Sequence, residues 1–170
     1  HARGREDLGA EGYLEIVSGK TASLFGFACR SGARVAGRED LVDAASRFGE
    51  KIGVAFQVID DVLDLSGDHR EVGKRLGADL AEGKTTLPLV LALERDEGEI
   101  RALLPKARRG DAEAARAVSH HALVREGCER ARFFATEQSN EALRALDELP
   151  DARPRELLRN LAMVLTRRKA

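Results

Sequence analysis

Phe56-Gln57-Val58-Ile59-Asp60-Asp61-Val62-Leu63-Asp64 sets carboxylates and an amide into a run that otherwise reads as a buried helix. At 3.6 residues per turn, Asp60 and Asp64 are i,i+4 neighbours, and Gln57 and Asp61 form another such pair one step round. All four polar groups therefore share one stripe, while the remaining residues from Val54 to Leu65 are apolar. Like charges at that spacing repel, and withdrawing each from water without a partner costs on the order of several kcal/mol. A solvated acidic face is one way out. A divalent cation is the other, and oxygen-only ligands suit a hard ion such as Mg²⁺, which tends to sit between one or two carboxylates and a phosphorylated ligand.

Outward from this stretch, helical periodicity dominates. Leu41, Ala45, Phe48, Ile52, Phe56, Ile59 and Leu63 step at threes and fours and predict a long helix over 39–65, with Ser66-Gly67 closing it. Before it, Leu14, Val17, Leu24, Phe25 and Ala28 predict a helix over 8–29, stopped by Ser31-Gly32. After it, the glycine-containing polar segment 67–86 reads mainly as loop. Thr85-Thr86-Leu87-Pro88 restarts a helix reaching about Asp96, with threonine capping and Pro88 in the first turn, where its missing N–H costs little. Shorter helices follow over 99–104, 111–124 with Asp111 as N-cap, 127–146 and 151–165, punctuated by Pro105, Gly110, Gly127 and Pro150. No β-branched alternating run intervenes, so the expected architecture is an all-α antiparallel helix bundle.

Composition narrows the function. The chain has 170 residues, enough to bury a sizeable core in one domain, and is rich in Ala, Leu, Arg and Glu. Its 28 basic and 29 acidic residues are interspersed, for a net charge of −1, so no broad field invites nucleic acid or an anionic membrane. No apolar run approaches the length of a membrane span. Cys29 and Cys128 form no CxxC pair, read as packing residues and suggest a reducing compartment, with the cytoplasm as the default. The sequence opens at His1 without methionine, which gives the expectation of a piece cut from something longer.

Two further clusters interrupt the pattern. Lys20-Thr21 sits among small and apolar residues of the first helix, where a lysine reads either as a snorkelling surface residue or as a functional group. Gly73-Lys74-Arg75-Leu76-Gly77-Ala78-Asp79-Leu80-Ala81-Glu82-Gly83-Lys84 immediately follows the acidic helix. Alone it is a charged surface loop; but glycines permit close approach to a ligand, and ammonium groups suit phosphate oxygens. An acidic face, an intrahelical lysine and a basic glycine-rich segment together fit a diphosphate held through Mg²⁺.

Lys20-Thr21-Ala22, Phe56-Gln57-x-x-Asp60-Asp61-x-x-Asp64 and Gly73-Lys74-x-x-Gly77-x-Asp79-Leu80-x-Glu82-Gly83-Lys84-x-Thr86-Leu87-Pro88 resemble, in order and spacing, the second half of an all-trans isoprenyl (polyprenyl) diphosphate synthase. The resemblance spans roughly residues 12–93 and implies a helix bundle around a deep cavity, with two aspartate-rich motifs holding Mg²⁺ on an allylic diphosphate. It implies Asp60 as the main metal ligand, with Asp61 and Asp64 supporting directly or through water and Asp79 holding metal-bound water. Lys20, Lys74 and Lys84 would contact the allylic diphosphate, and Thr21 and Gln57 would lie beside the allylic carbon. The partners implied are an allylic diphosphate and isopentenyl diphosphate, with a homodimer for the complete protein.

The family's first aspartate-rich motif and its isopentenyl diphosphate site should precede Lys20 by something like a hundred residues and are absent from this sequence. The whole of 1–170 thus reads as the C-terminal part of a synthase domain, inactive in prenyl transfer by itself. A non-catalytic partner subunit of a heteromeric synthase and a class I terpene cyclase are the alternatives. Such partner subunits usually lose these aspartates, and the cyclase motif Asn-Asp-x-x-Ser-x-x-x-Glu does not occur here. Arg167-Arg168-Lys169 reads as a solvated helix end.

Overall fold

A computed structural model describes residues 9–66 and 78–166. Among these residues the regular structure is helical throughout: α1 Ala10–Val17, α2 Ser23–Val35, α3 Val42–Ser66, α4 Ala78–Ala81, α5 Leu87–Leu93, α6 Glu99–Arg108, α7 Ala112–His120, α8 Ala122–Asp147 and α9 Arg153–Thr166. The described residues form two compact units, one from those of 9–16 and 58–133, the other from those of 17–57 and 134–166.

The all-α expectation holds, and α3 lies where its periodicity places it, preceded by a 3₁₀ turn at Glu39–Leu41. The expected close at Gly67 falls outside the described residues. Several boundaries move. The first helix runs past Ser31-Gly32 to Val35, because the conformation that ends it belongs to Gly37, at φ 68°. There the Arg38 N–H reaches the Ala33 carbonyl and the Gly37 N–H reaches Arg34, both at 2.9 Å, satisfying two of the helix's last carbonyls.

Downstream, α5 stops at Leu93 and not near Asp96; Thr86 occupies its N-cap position without a side-chain capping bond, and Pro88 lies in the first turn. Asp96 instead serves the next helix, accepting the N–H groups of Ile100 and Arg101 at 3.0 Å each. Pro105 does not end α6, which continues to Arg108; the proline is exposed, where solvent can serve the carbonyl left without its N–H. Asp111 caps α7 as expected, accepting from Glu113 and Ala114 at 3.0 Å. That helix ends at His120 and not Val124. His121 is extended, and its Nδ1 accepts the Leu123 N–H at the start of α8.

Gly127 lies inside α8 and is not a boundary. A Cβ there would overlap the Pro88 carbonyl oxygen, so the glycine is required by close packing of α8 on α5. Val58, Val62, Leu80, Leu89, Ile100, Leu104, Val118 and Val124 are almost wholly buried in this unit. In the other unit, Phe48 and Ile52 of α3 pack with Ala142, Ala145 and Leu146 of α8 and Ala162 of α9, flanked by Phe25, Cys29, Leu158 and Leu165. Burying each such large apolar side chain contributes roughly 1.5–3 kcal/mol. Both cysteines are free thiols, and burial pushes Cys128 up to about 11 and raises Cys29, consistent with packing roles.

Candidate functional site

In the unit formed by Val17–Gln57 and the later residues, the feature that matters is a π turn. Ser18–Ala22, which contains Lys20 and Thr21, winds one residue wider than an α-helix, and the Ser23 N–H bonds to the Ser18 carbonyl across it. The Ser23 hydroxyl donates to the carbonyls of Gly19 at 2.9 Å and Lys20 at 3.2 Å, satisfying acceptors the altered register displaces. Single π turns inside α-helices are frequent at functional sites. Lys20 is exposed on this turn, and Thr21 is half-buried, its hydroxyl donating to Gln57 Oε1 at 2.8 Å.

What brings Thr21 within reach of Gln57 is a pair of glycines. Gly49, Gly53 and Gln57 follow at i,i+4,i+8 on α3. A Cβ on Gly53 would lie 2.8 Å from Ala22 Cα and 3.1 Å from Phe25 Cβ, and one on Gly49 would lie 2.5 Å from the Phe25 carbonyl oxygen. The helices therefore meet backbone to backbone, with the Phe25 and Phe56 rings stacked at 5.6 Å beside the polar pair. Helical periodicity did not single out these glycines, although their own spacing, two glycines four apart inside an apolar helix, is the legible signal.

In the other unit, the carboxylates of α3 are held individually. Asp61 is buried and accepts the Tyr13 hydroxyl at 2.6 Å. Burial and then the Asp61 charge, with smaller contributions from Asp79 and Asp60, raise Tyr13 well above its ordinary value. Asp64, half-buried, accepts the Asp79 backbone N–H at 3.1 Å. Burial and the neighbouring Asp79 charge outweigh that bond and the Lys84 charge, pushing Asp64 up to about 6. Asp79 Oδ1 accepts Lys84 Nζ at 2.5 Å, and Glu82 lies 3.0 Å from the same ammonium, so these hydrogen bonds raise Lys84. Gly83, at φ 74°, makes the turn that allows the Lys84 N–H to reach the Asp79 carbonyl.

Of the residues singled out in the sequence, Thr21 joins Gln57, Asp64 joins Asp79 and Lys84, and Asp60 lies half-buried on the same helix. Lys74 lies outside the described residues. Tyr13 had no place in the sequence reading; its signal was only its being the chain's single tyrosine, one position into an otherwise ordinary apolar stripe. Among the described residues no three His, Cys, Asp or Glu side chains are gathered on one metal position. A divalent ion here would therefore take one or two carboxylates and complete its shell from water and phosphate oxygens, the habit of Mg²⁺. Oxygen donors, and carboxylate charges close enough to raise Asp64 and Tyr13, fit such an ion.

A family profile described as polyprenyl synthetase matches residues 1–124. The chain belongs to the polyprenyl synthetase family. It is 36% identical over 164 residues to the all-trans-nonaprenyl-diphosphate synthase (geranyl-diphosphate specific) of Rhodobacter capsulatus, covering 94% of this chain and 50% of that protein. It is 38% identical over 160 residues to heptaprenyl diphosphate synthase component 2 of Geobacillus stearothermophilus, covering 92% and 49%. Among solved structures, the polyprenyl synthase of Caulobacter crescentus complexed with calcium and isoprenyl diphosphate matches at a TM-score of 0.87 and 31% identity, over 99% of this chain and 53% of that one. The chain spans about half the length of the relatives it matches. Its all-α fold is that of the isoprenyl synthases, and no described helix is long and apolar enough to cross a membrane.

Proposed function

We propose that the chain is the C-terminal part of a trans-prenyltransferase, a polyprenyl diphosphate synthase that condenses an allylic diphosphate with isopentenyl diphosphate. The observation that carries this reading is the acidic end of α3: half-buried Asp64 accepts the Asp79 backbone N–H, and Asp79 engages Lys84 in turn. Carboxylates gathered in this way suit a hard cation beside them, and the family relationship supports a diphosphate as the ligand that cation accompanies.

In this reading Asp60 is the principal Mg²⁺ ligand, Asp61 and Asp64 support it, and Asp79 holds metal-bound water. Mg²⁺, when bound, supplies countercharge to the diphosphate as it leaves. Lys20, Lys74 and Lys84 contact the phosphate oxygens. Thr21 and Gln57 set their oxygens beside the allylic carbon as its C–O bond breaks, where they stabilise developing cationic charge. The double bond of isopentenyl diphosphate then forms the new C–C bond, and a proton leaves to the departing diphosphate. Apolar walls exclude water that would otherwise capture the cation. The other aspartate-rich motif and the isopentenyl site come from outside this sequence, so the 170 residues alone bind Mg²⁺ and diphosphate weakly and do not elongate. The complete protein is a homodimer in the cytoplasm. Because one relative is named component 2, a heteromeric assembly is the second reading, with this chain as the component that retains its aspartates.

The test is ³¹P NMR of inorganic diphosphate titrated with the purified chain, with and without Mg²⁺. Binding should require Mg²⁺ and be lost in Asp60→Ala. Equal binding in excess chelator, or in Asp60→Ala, would contradict the reading.

A further inference from the structure

We propose that Tyr13 is a positioning residue for the acidic end of α3, holding Asp61 through a buried hydrogen bond so that the neighbouring carboxylates keep their presentation to a ligand. This rests on the function proposed above. The phenol and the carboxylate are 5% and 4% exposed, and they meet at 2.6 Å across 48 residues of sequence. That is the length of a charge-assisted O–H···O⁻ bond, stronger than a neutral one. A carboxylate so buried has lost its hydration shell, and the Tyr13 hydroxyl replaces part of it.

The carboxylates of the motif are thus not equivalent. Asp61 is fastened to α1, Asp64 is fastened by the Asp79 backbone, and Asp60 immediately precedes Asp61 and lies one turn before Asp64 on the same helix. Successive residues of a helix are about 100° apart, so fixing Asp61 fixes the rotation of α3 about its axis and with it the direction in which Asp60 and Asp64 face. A helix without that bond can still pack on its apolar side. It would then present Asp60 with greater freedom, and a bridging ion would lose part of its preorganised ligand geometry.

The experiment exploits the absence of tryptophan and of any second tyrosine, which leaves Tyr13 as the chain's dominant ultraviolet emitter. Tyr13 emission is followed in the purified chain as Mg²⁺ and inorganic diphosphate are added, alongside ³¹P shifts that report binding independently. Wild type should change emission with the same half-saturation as the ³¹P signal. Tyr13→Phe and Asp61→Asn should each weaken Mg²⁺-dependent diphosphate binding by about tenfold, and the double variant should be no weaker than the worse single within about twofold. Melting of each variant separates affinity from folding. If ³¹P shows normal binding by folded Tyr13→Phe, or fully additive losses, the inference is overturned and the proposed function stands. Wild-type binding that leaves Tyr13 emission unchanged likewise overturns the inference. No binding by wild type overturns both.

Discussion

Along α3, the stretch before Gln57 and the stretch after it are held by different forces. Before it, Gly49 and Gly53 remove side chains so that backbones touch, and Phe48 and Ile52 fill an apolar core. After it, directional bonds hold the carboxylates, Asp61 accepting from Tyr13 and Asp64 from the Asp79 backbone. Close packing of apolar side chains and bare backbone tolerates no added volume. The acidic stretch is sensitive instead to loss of charge or of its partners, even where the volume is kept. A helix can therefore be held at one end through shape and at the other through directional polar bonds.

The largest expected effect falls on the acidic stretch. In a complete synthase carrying these residues, Asp60→Ala should lower turnover by orders of magnitude, on the scale of roughly a hundredfold or more, since it removes charge stabilisation required mainly as the diphosphate departs. Glu94→Ala, which removes an exposed partner of Arg130, should change turnover little. Steady-state kinetics on both variants would break the comparison if the two losses were equal.

On the packed stretch, Gly53→Ala should destabilise the fold by roughly 1–3 kcal/mol, because its Cβ would sit 2.8 Å from Ala22 Cα. Gly32→Ala, inside α2 with nothing within 4 Å of its Cβ, should instead stabilise by up to about 1 kcal/mol. Urea unfolding of the pair tests whether close approach or helix propensity governs these glycines. If both substitutions stabilise, backbone contact between the helices is not what Gly53 serves.

A smaller effect belongs to Asp96, which lies in neither stretch. Burial opposes its ionisation, but bonds from the Ile100, Arg101 and Gly98 N–H groups lower it below the usual carboxylate range overall. Its folded value is thus below its unfolded value, so its stabilisation is present above about pH 4 and is lost as pH falls through the folded value. Asp96→Ala should cost about 1 kcal/mol at neutral pH and progressively less below pH 4. A difference independent of pH would deny the carboxylate that role.

The long α3 helix and the all-α architecture were legible because each is written in residue type and spacing. The π turn was not, since one residue of altered hydrogen-bond register leaves the apolar periodicity on either side nearly intact. Gly127 was misread as punctuation because a glycine required by contact with Pro88 and a glycine that ends a helix look alike in one dimension. Pro105 misled for the converse reason: on an exposed helix face a proline removes one bond without removing the helix. Tyr13 belongs to a pairing 48 residues apart, and nothing local marks it as the donor to Asp61.

The most direct test is an elongation assay with geranyl or farnesyl diphosphate, labelled isopentenyl diphosphate and Mg²⁺. It would be run on the 170-residue chain alone and on the same chain joined to the complementary half of the Rhodobacter capsulatus relative. The account predicts no product from the chain alone and longer prenyl diphosphates from the joined protein, abolished there by Asp60→Ala. Robust elongation by the chain alone, or a folded joined protein that binds both substrates and extends neither, would contradict it.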